Sequence, residues 1–167
     1  MNKSLIVLSF FTLMFIACKP NSSSSTSTKS TSSSSLFDEY FDLFPQASFA
    51  QPGGLNLERE AFMLYNAKHT DKAAIAFQDL YDQHHFPRHK FYAAISNLAE
   101  DKVDLAIQQL EDLDQEGKLS MKFVHQYFLG LAYLKAGRKA DAKAKLGELK
   151  DNFQHYKKKA EALIQKI

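Results

Sequence analysis

The chain has 167 residues, with 21 Lys and Arg against 19 Asp and Glu and a formal net charge of +2. A balance this close to neutral lacks the strongly basic footprint that phosphate-rich partners require, so no nucleic acid is expected among its partners. There is one cysteine, so no disulfide within the chain can hold the fold and the core must suffice by itself.

In chain order, Lys3 leads into an apolar run, residues 5–16, that only Ser9 and Thr12 interrupt. Twelve residues fall short of the roughly 20 that a transmembrane helix needs. A short apolar core behind a positive charge predicts a signal peptide over residues 1–17. The run ends Phe15-Ile16-Ala17-Cys18, which resembles the lipobox of bacterial lipoproteins: an aliphatic residue, a small residue, then cysteine. The resemblance implies that Cys18 is the lipid attachment, alkylated on sulfur with diacylglycerol and acylated on its amine, as with palmitate, after cleavage. Each buried methylene of such chains contributes about 0.8 kcal/mol, so two or three chains anchor firmly. Cleavage removes Lys3 and leaves 20 basic against 19 acidic residues. Lys19 follows the cysteine, where aspartate would mark inner-membrane retention. The expectation is therefore a lipid-anchored protein of the cell envelope at the outer membrane, with its face, periplasmic or surface, left open.

Residues 18–35 read as the lipidated cysteine and a flexible tether. Within them, 22–35 is thirteen Ser or Thr and Lys29, which offers no apolar surface to bury. Seventeen or so such residues reach roughly 20–25 Å on average and about 55 Å when taut. Residues 36–54 form an amphipathic segment and loop. The segment Leu36-Phe37-Asp38-Glu39-Tyr40-Phe41-Asp42-Leu43-Phe44-Pro45 is aromatic, acidic and closed by a proline.

From residue 55 to 167 the composition turns to helix formers, with few prolines and glycines. Residues 61–80, 94–113 and 130–149 align without a gap, at spacings of 33 and 36. In register stand Ala61, Ala94 and Gly130; Ala73, Ala106 and Ala142; Phe77, Leu110 and Leu146. Small residues on both helices let backbones approach while large neighbours fill the space between. Thr70 and Asp71 are expected to cap a helix, Pro87 to start one, and Gly117 and Gly137 to end two. The last stretch, 153–167, places Tyr156, Ala160, Leu163 and Ile164 on helical spacing and reads as a helix covering the open end.

A period near 34 residues of helix–turn–helix units resembles the tetratricopeptide repeat. The third unit matches best, through Leu129, Gly130, Tyr133, Gly137, Ala142 and Leu146. The resemblance implies an all-α solenoid of about three helical hairpins with a C-terminal capping helix. It also implies a concave groove that binds a protein or peptide partner through the first helix of each unit. Carried across, it places Glu58, Phe62 and Tyr65, then Phe91, Tyr92, Ile95 and Leu98, then Tyr127, Phe128, Leu131 and Lys135 on that groove. A face this apolar should not stay bare in water. Two fillers are open: a partner's helix or peptide, or the chain's own residues 36–45 docked on the first unit.

Residues 134–167 carry ten Lys and Arg against four Asp and Glu, either as solvated helix faces or in contact with anionic headgroups or the acidic N-terminal segment. His84, His85 and His89 bracket a helix–helix turn, where polar residues occur anyway, so no metal site is expected there. No Ser/His/Asp ordering, phosphate loop or cysteine nucleophile occurs in the folded region. Neither catalysis nor a cofactor is expected, and the function read from the sequence is a membrane-anchored adapter or scaffold. The alternatives are a permanent subunit of an outer-membrane assembly or secretion complex and, more distantly, a metal- or small-molecule-binding lipoprotein.

Overall fold

The computed structural model describes residues 32–45, 56–116, 122–149 and 154–167. The expected signal peptide, Cys18 and most of the serine tract lie outside the described residues, as does Gly117. Every regular element described is helical, as composition and periodicity predict: α1 (Ser33–Tyr40), α2 (Asn56–Asn66), α3 (Thr70–His84), α4 (Pro87–Ala99), α5 (Val103–Glu116), α6 (Lys122–Lys135), α7 (Lys139–Gly147) and α8 (Gln154–Ile164). From α2 to α8 each helix packs on its neighbours in chain order.

The repeat is written into the backbone at the ends of α2, α4 and α6. Lys68, Asp101 and Gly137 have φ of 60°, 61° and 76°, at the same 33- and 36-residue spacings that align the sequence. Around each, two amides fold back on the helix: His69 to Leu64 at 2.9 Å, Lys102 to Asn97 at 2.9 Å and Arg138 to Tyr133 at 2.8 Å are the longer-span bonds. This is the Schellman closure, which satisfies carbonyls the helix leaves free. Only the third copy uses the glycine that the left-handed region favours.

Helix starts differ more from expectation. Pro87 does open α4, where its missing N–H costs nothing. Thr70 does not cap α3. His69 holds the cap position without a side-chain bond, and the Thr70 hydroxyl instead donates to Glu100 beyond the end of α4. Thr70 is already the first helical residue of α3, one place past the cap position, and its O–H is satisfied by the carboxylate. The serine tract also ends sooner than composition implies. Ser33, Ser34 and Ser35 form the first turn of α1, because the Ser32 hydroxyl accepts the Ser35 N–H at 3.2 Å.

The core bears out the small-beside-large register. Ala61, Ala94, Ala73, Ala106 and Ala142 are buried, as are Phe77, Leu110 and Leu146. A Cβ built on Gly130 would come within 2.6 Å of Leu146 Cγ, so α6 and α7 touch there only because residue 130 has no side chain. The helix α8 buries Ala160 and Leu163 and packs on α6 and α7. The helix α1 packs on α6 and α8, not on the first unit as expected. Its apolar face is matched by the aromatic surface where α6 meets α8.

Candidate functional site

The first helices of the three hairpins, α2, α4 and α6, carry the residues expected to line a groove. Phe62, Tyr65, Phe91, Tyr92, Ile95, Leu98, Tyr127, Phe128 and Leu131 are all buried, and Lys135 is partly buried. No open apolar groove is formed by them, because residues 36–45 cross that surface. Leu36, Phe37, Tyr40 and Phe44 are buried in the same core. The apolar face is covered by the chain itself, since burying these four large side chains, with Phe41 and Leu43 half-buried beside them, removes both surfaces from water.

The crossing runs against the order of the hairpins. The helix α1 sits on α6 and α8; from Phe41 the chain turns extended and passes towards α4 and α2. Phe41 stacks on Phe37 at 4.7 Å and meets the edge of Phe128 at 6.2 Å. Phe44 is the hub: its ring lies 5.6 Å from Phe91, 6.1 Å from Tyr92, 6.2 Å from Phe128 and 6.3 Å from Tyr156. Several of these pairs are edge-to-face, the arrangement the ring quadrupoles favour.

Three tyrosine hydroxyls, one from each first helix, hold the main chain of the crossing segment. Tyr127 of α6 donates to the Tyr40 carbonyl at 2.9 Å, Tyr65 of α2 to the Phe44 carbonyl at 3.0 Å, and Tyr92 of α4 to the Pro45 carbonyl at 3.4 Å. Burial raises the Tyr65 and Tyr127 phenols well above their usual range, so both stay protonated and act as donors. The bonds to the Tyr40 and Phe44 carbonyls are buried, so those hydroxyls satisfy acceptors that burial would otherwise leave costly, while the bond to exposed Pro45 is part-buried.

Charge holds the segment at its edge. Asp42 pairs with Lys159 at 3.1 Å and Glu39 pairs with Lys166, both lysines on or just beyond α8. Lys166 also lies 5.0 Å over the Tyr40 ring, and Lys135 lies 4.2 Å over Phe37 while reaching Asp101 at 3.0 Å. The basic C-terminal stretch therefore meets the acidic N-terminal segment, one of the two sharper uses open from the sequence. Beside the segment a cleft of about 420 Å³ remains, with Leu43, Phe128 and Tyr156 in its walls and Asp42, His155 and Lys159 around it.

Not every expected groove residue reaches this surface. Phe62 packs within 4.9 Å of both Phe77 and Tyr92, between the first hairpin and α4. Glu58 turns to the start of α4, where it accepts from Arg88 at 2.8 Å and His89 Nε2 at 3.0 Å. Burial lowers the His89 pKa, against the pull of Glu58, and its ring stacks on Phe77 at 6.4 Å. His84 stacks on Phe86, and His85 closes α3 in the left-handed region. His84 and His89 both pack on the Phe86 ring, and among the described residues no group of three or more His, Cys, Asp or Glu side chains is placed to hold a metal ion.

The residues of this surface that the groove assignment missed are on or just beyond α8. Tyr156, Lys159 and Lys166 complete the surface under the segment; helical spacing puts Tyr156 on the covering helix, and only the excess of lysine near the C-terminus signals the other two. The repeat resemblance places Tyr65, Tyr92 and Tyr127 on this face, but nothing in the sequence marks their hydroxyls as donors to a crossing main chain. Tyr65 follows Ala61 by four positions, whereas Tyr92 and Tyr127 precede Ala94 and Gly130 by two and three, so the hydroxyls come from non-equivalent places in the repeat. No family model, curated protein or solved structure matches this chain.

Proposed function

We propose that this chain is a lipid-anchored, protein-binding adapter of a bacterial envelope, built on tetratricopeptide-like hairpins and holding a peptide segment along their first helices. The observation that carries the reading is the row of tyrosine hydroxyls, two of them in buried bonds, directed at main-chain carbonyls. Main-chain acceptors are common to every peptide, so walls that bind them suit a peptide site. The sequence supports the anchor: the apolar run, Ala17 and Cys18 fit a lipobox, and no helix among the described residues is long and apolar enough to cross a membrane. No catalytic step is assigned to any residue.

A second reading, a fixed subunit of an outer-membrane assembly, is favoured by the burial of the surface under residues 36–45, since a covered surface needs no exchangeable partner. A photo-crosslinking amino acid at half-buried Leu43, in cells making the full chain, separates the two. A discrete protein adduct whose yield varies with the partner's supply supports the adapter. A stoichiometric adduct in a fixed complex supports the subunit, and the absence of any protein adduct ends both. Cys18→Ser should release the chain from washed membranes; retention would remove the lipid anchor from the proposal.

A further inference from the structure

What the surface recognises in its occupant is largely impersonal. Tyr65, Tyr92 and Tyr127 bind carbonyls of Phe44, Pro45 and Tyr40, and a carbonyl carries no side-chain identity. Identity enters through aromatic rings and two acids. The Phe44 ring sits among Phe91, Tyr92 and Phe128, and Glu39 and Asp42 meet Lys166 and Lys159. Charge complementarity therefore specifies an acidic occupant with aromatic anchors.

The resident segment is also separable from the fold that holds it. The helices α2 to α7 pack on one another in chain order, so their pairing does not depend on α1. A helix of eight residues is too short to persist alone in water, where about 12–15 residues are marginal. Its acid contacts lie at the solvent edge, the Asp42 side chain being 81% exposed, where ion pairs are weak and screened. The cleft of about 420 Å³ beside it leaves room for a bulkier occupant.

We propose that residues 33–45 are a built-in, exchangeable ligand. The surface of α2, α4, α6 and α8 accepts in trans a partner segment of the same make: about two turns of helix with an aromatic face, acids set against Lys159 and Lys166, and an extended end whose carbonyls meet the tyrosines. This rests on the reading of that surface as a peptide site and adds its regulation, because a partner must outcompete a segment present at an effective concentration of about millimolar.

The test uses the full chain and a fluorescent peptide with the sequence of residues 32–45. Phe44→Ala weakens the resident segment, and the peptide should bind that variant at least tenfold more tightly than the unaltered chain. A peptide with lysine in place of Glu39 and Asp42 should bind the same variant at least fivefold more weakly, and Lys159→Glu with Lys166→Glu added should restore it. If Phe44→Ala does not fold, Lys159→Glu with Lys166→Glu, at a half-buried and an exposed lysine, alone loosens the segment, and the lysine-bearing peptide should then bind better than to the unaltered chain. A folded variant that gains no affinity, or that ignores the peptide's charge, overturns exchange. Peptide exchange without a crosslink at Leu43 sustains the built-in ligand and ends the adapter. A Leu43 crosslink without peptide exchange does the reverse.

Discussion

The Tyr127 hydroxyl donates to the Tyr40 carbonyl at 2.9 Å, joining residues 87 positions apart in the sequence. Both groups are buried, so deleting the donor strands an acceptor away from water. Tyr127→Phe should therefore cost about 1–3 kcal/mol, read as a lower urea midpoint at unchanged slope. Tyr133 is the control. Its phenol, pushed up to about 12 by burial and its bond to Glu111, donates to a carboxylate that water can reach. Tyr133→Phe should cost less than Tyr127→Phe; the opposite order would contradict the assigned burial of the main-chain bond.

Gly130 and Leu146 set the spacing of α6 and α7. A methyl at residue 130 would press on the Leu146 side chain at 2.6 Å, so Gly130→Ala should cost about 1–3 kcal/mol through overpacking. The loss should shrink in the presence of Leu146→Ala, because each change relieves the other. Additive losses in that double-mutant cycle would mean that the two residues do not meet.

Lys68 and Gly137 occupy equivalent left-handed positions, at φ 60° and 76°. Lys68→Gly should raise stability by up to about 1 kcal/mol by removing a conformational penalty. Gly137→Ala should lower it by about 1 kcal/mol. Nothing lies within 4 Å of the added methyl, so that loss is conformational and not steric. Thermal unfolding of the two variants should move in opposite directions.

His89 makes stability fall in mild acid. Burial lowers its folded pKa, so the unfolded chain takes up the proton first as pH drops through the usual histidine value near 6.5. Protons bound preferentially by the unfolded state reduce stability, by at most about 1.4 kcal/mol per pH unit for one group. The loss begins below about pH 6.5 and levels off below the folded pKa. His89→Gln should flatten this part of the stability profile between pH 7 and 5; an unchanged slope would assign it elsewhere.

Much of the architecture was legible because its signals are local. Alignment of Ala61, Ala94 and Gly130 predicted equivalent helices, and the backbone repeats at Lys68, Asp101 and Gly137 in the same register. Pro87 marked a helix start because its constraint lies within its own residue. Thr70 was misread by one position, since α3 starts on it and not after it, and its partner Glu100 becomes available only when α3 meets the end of α4. Ser33 to Ser35 read as tether because composition does not reveal that Ser32 caps a helix carrying Leu36, Phe37 and Tyr40 into the core.

By itself the sequence determined the helical class, the hairpin register and the aromatic character of the shared face, since the spacing of small and large residues dictates which helices can approach. Only tertiary structure decided what lies on that face and which way it runs. Residues 36–45 lie across α6 and α8 because aromatic burial, three tyrosine hydroxyls and the α8 lysines converge there. Each of those terms depends on groups far apart in the chain, and no local pattern records their meeting.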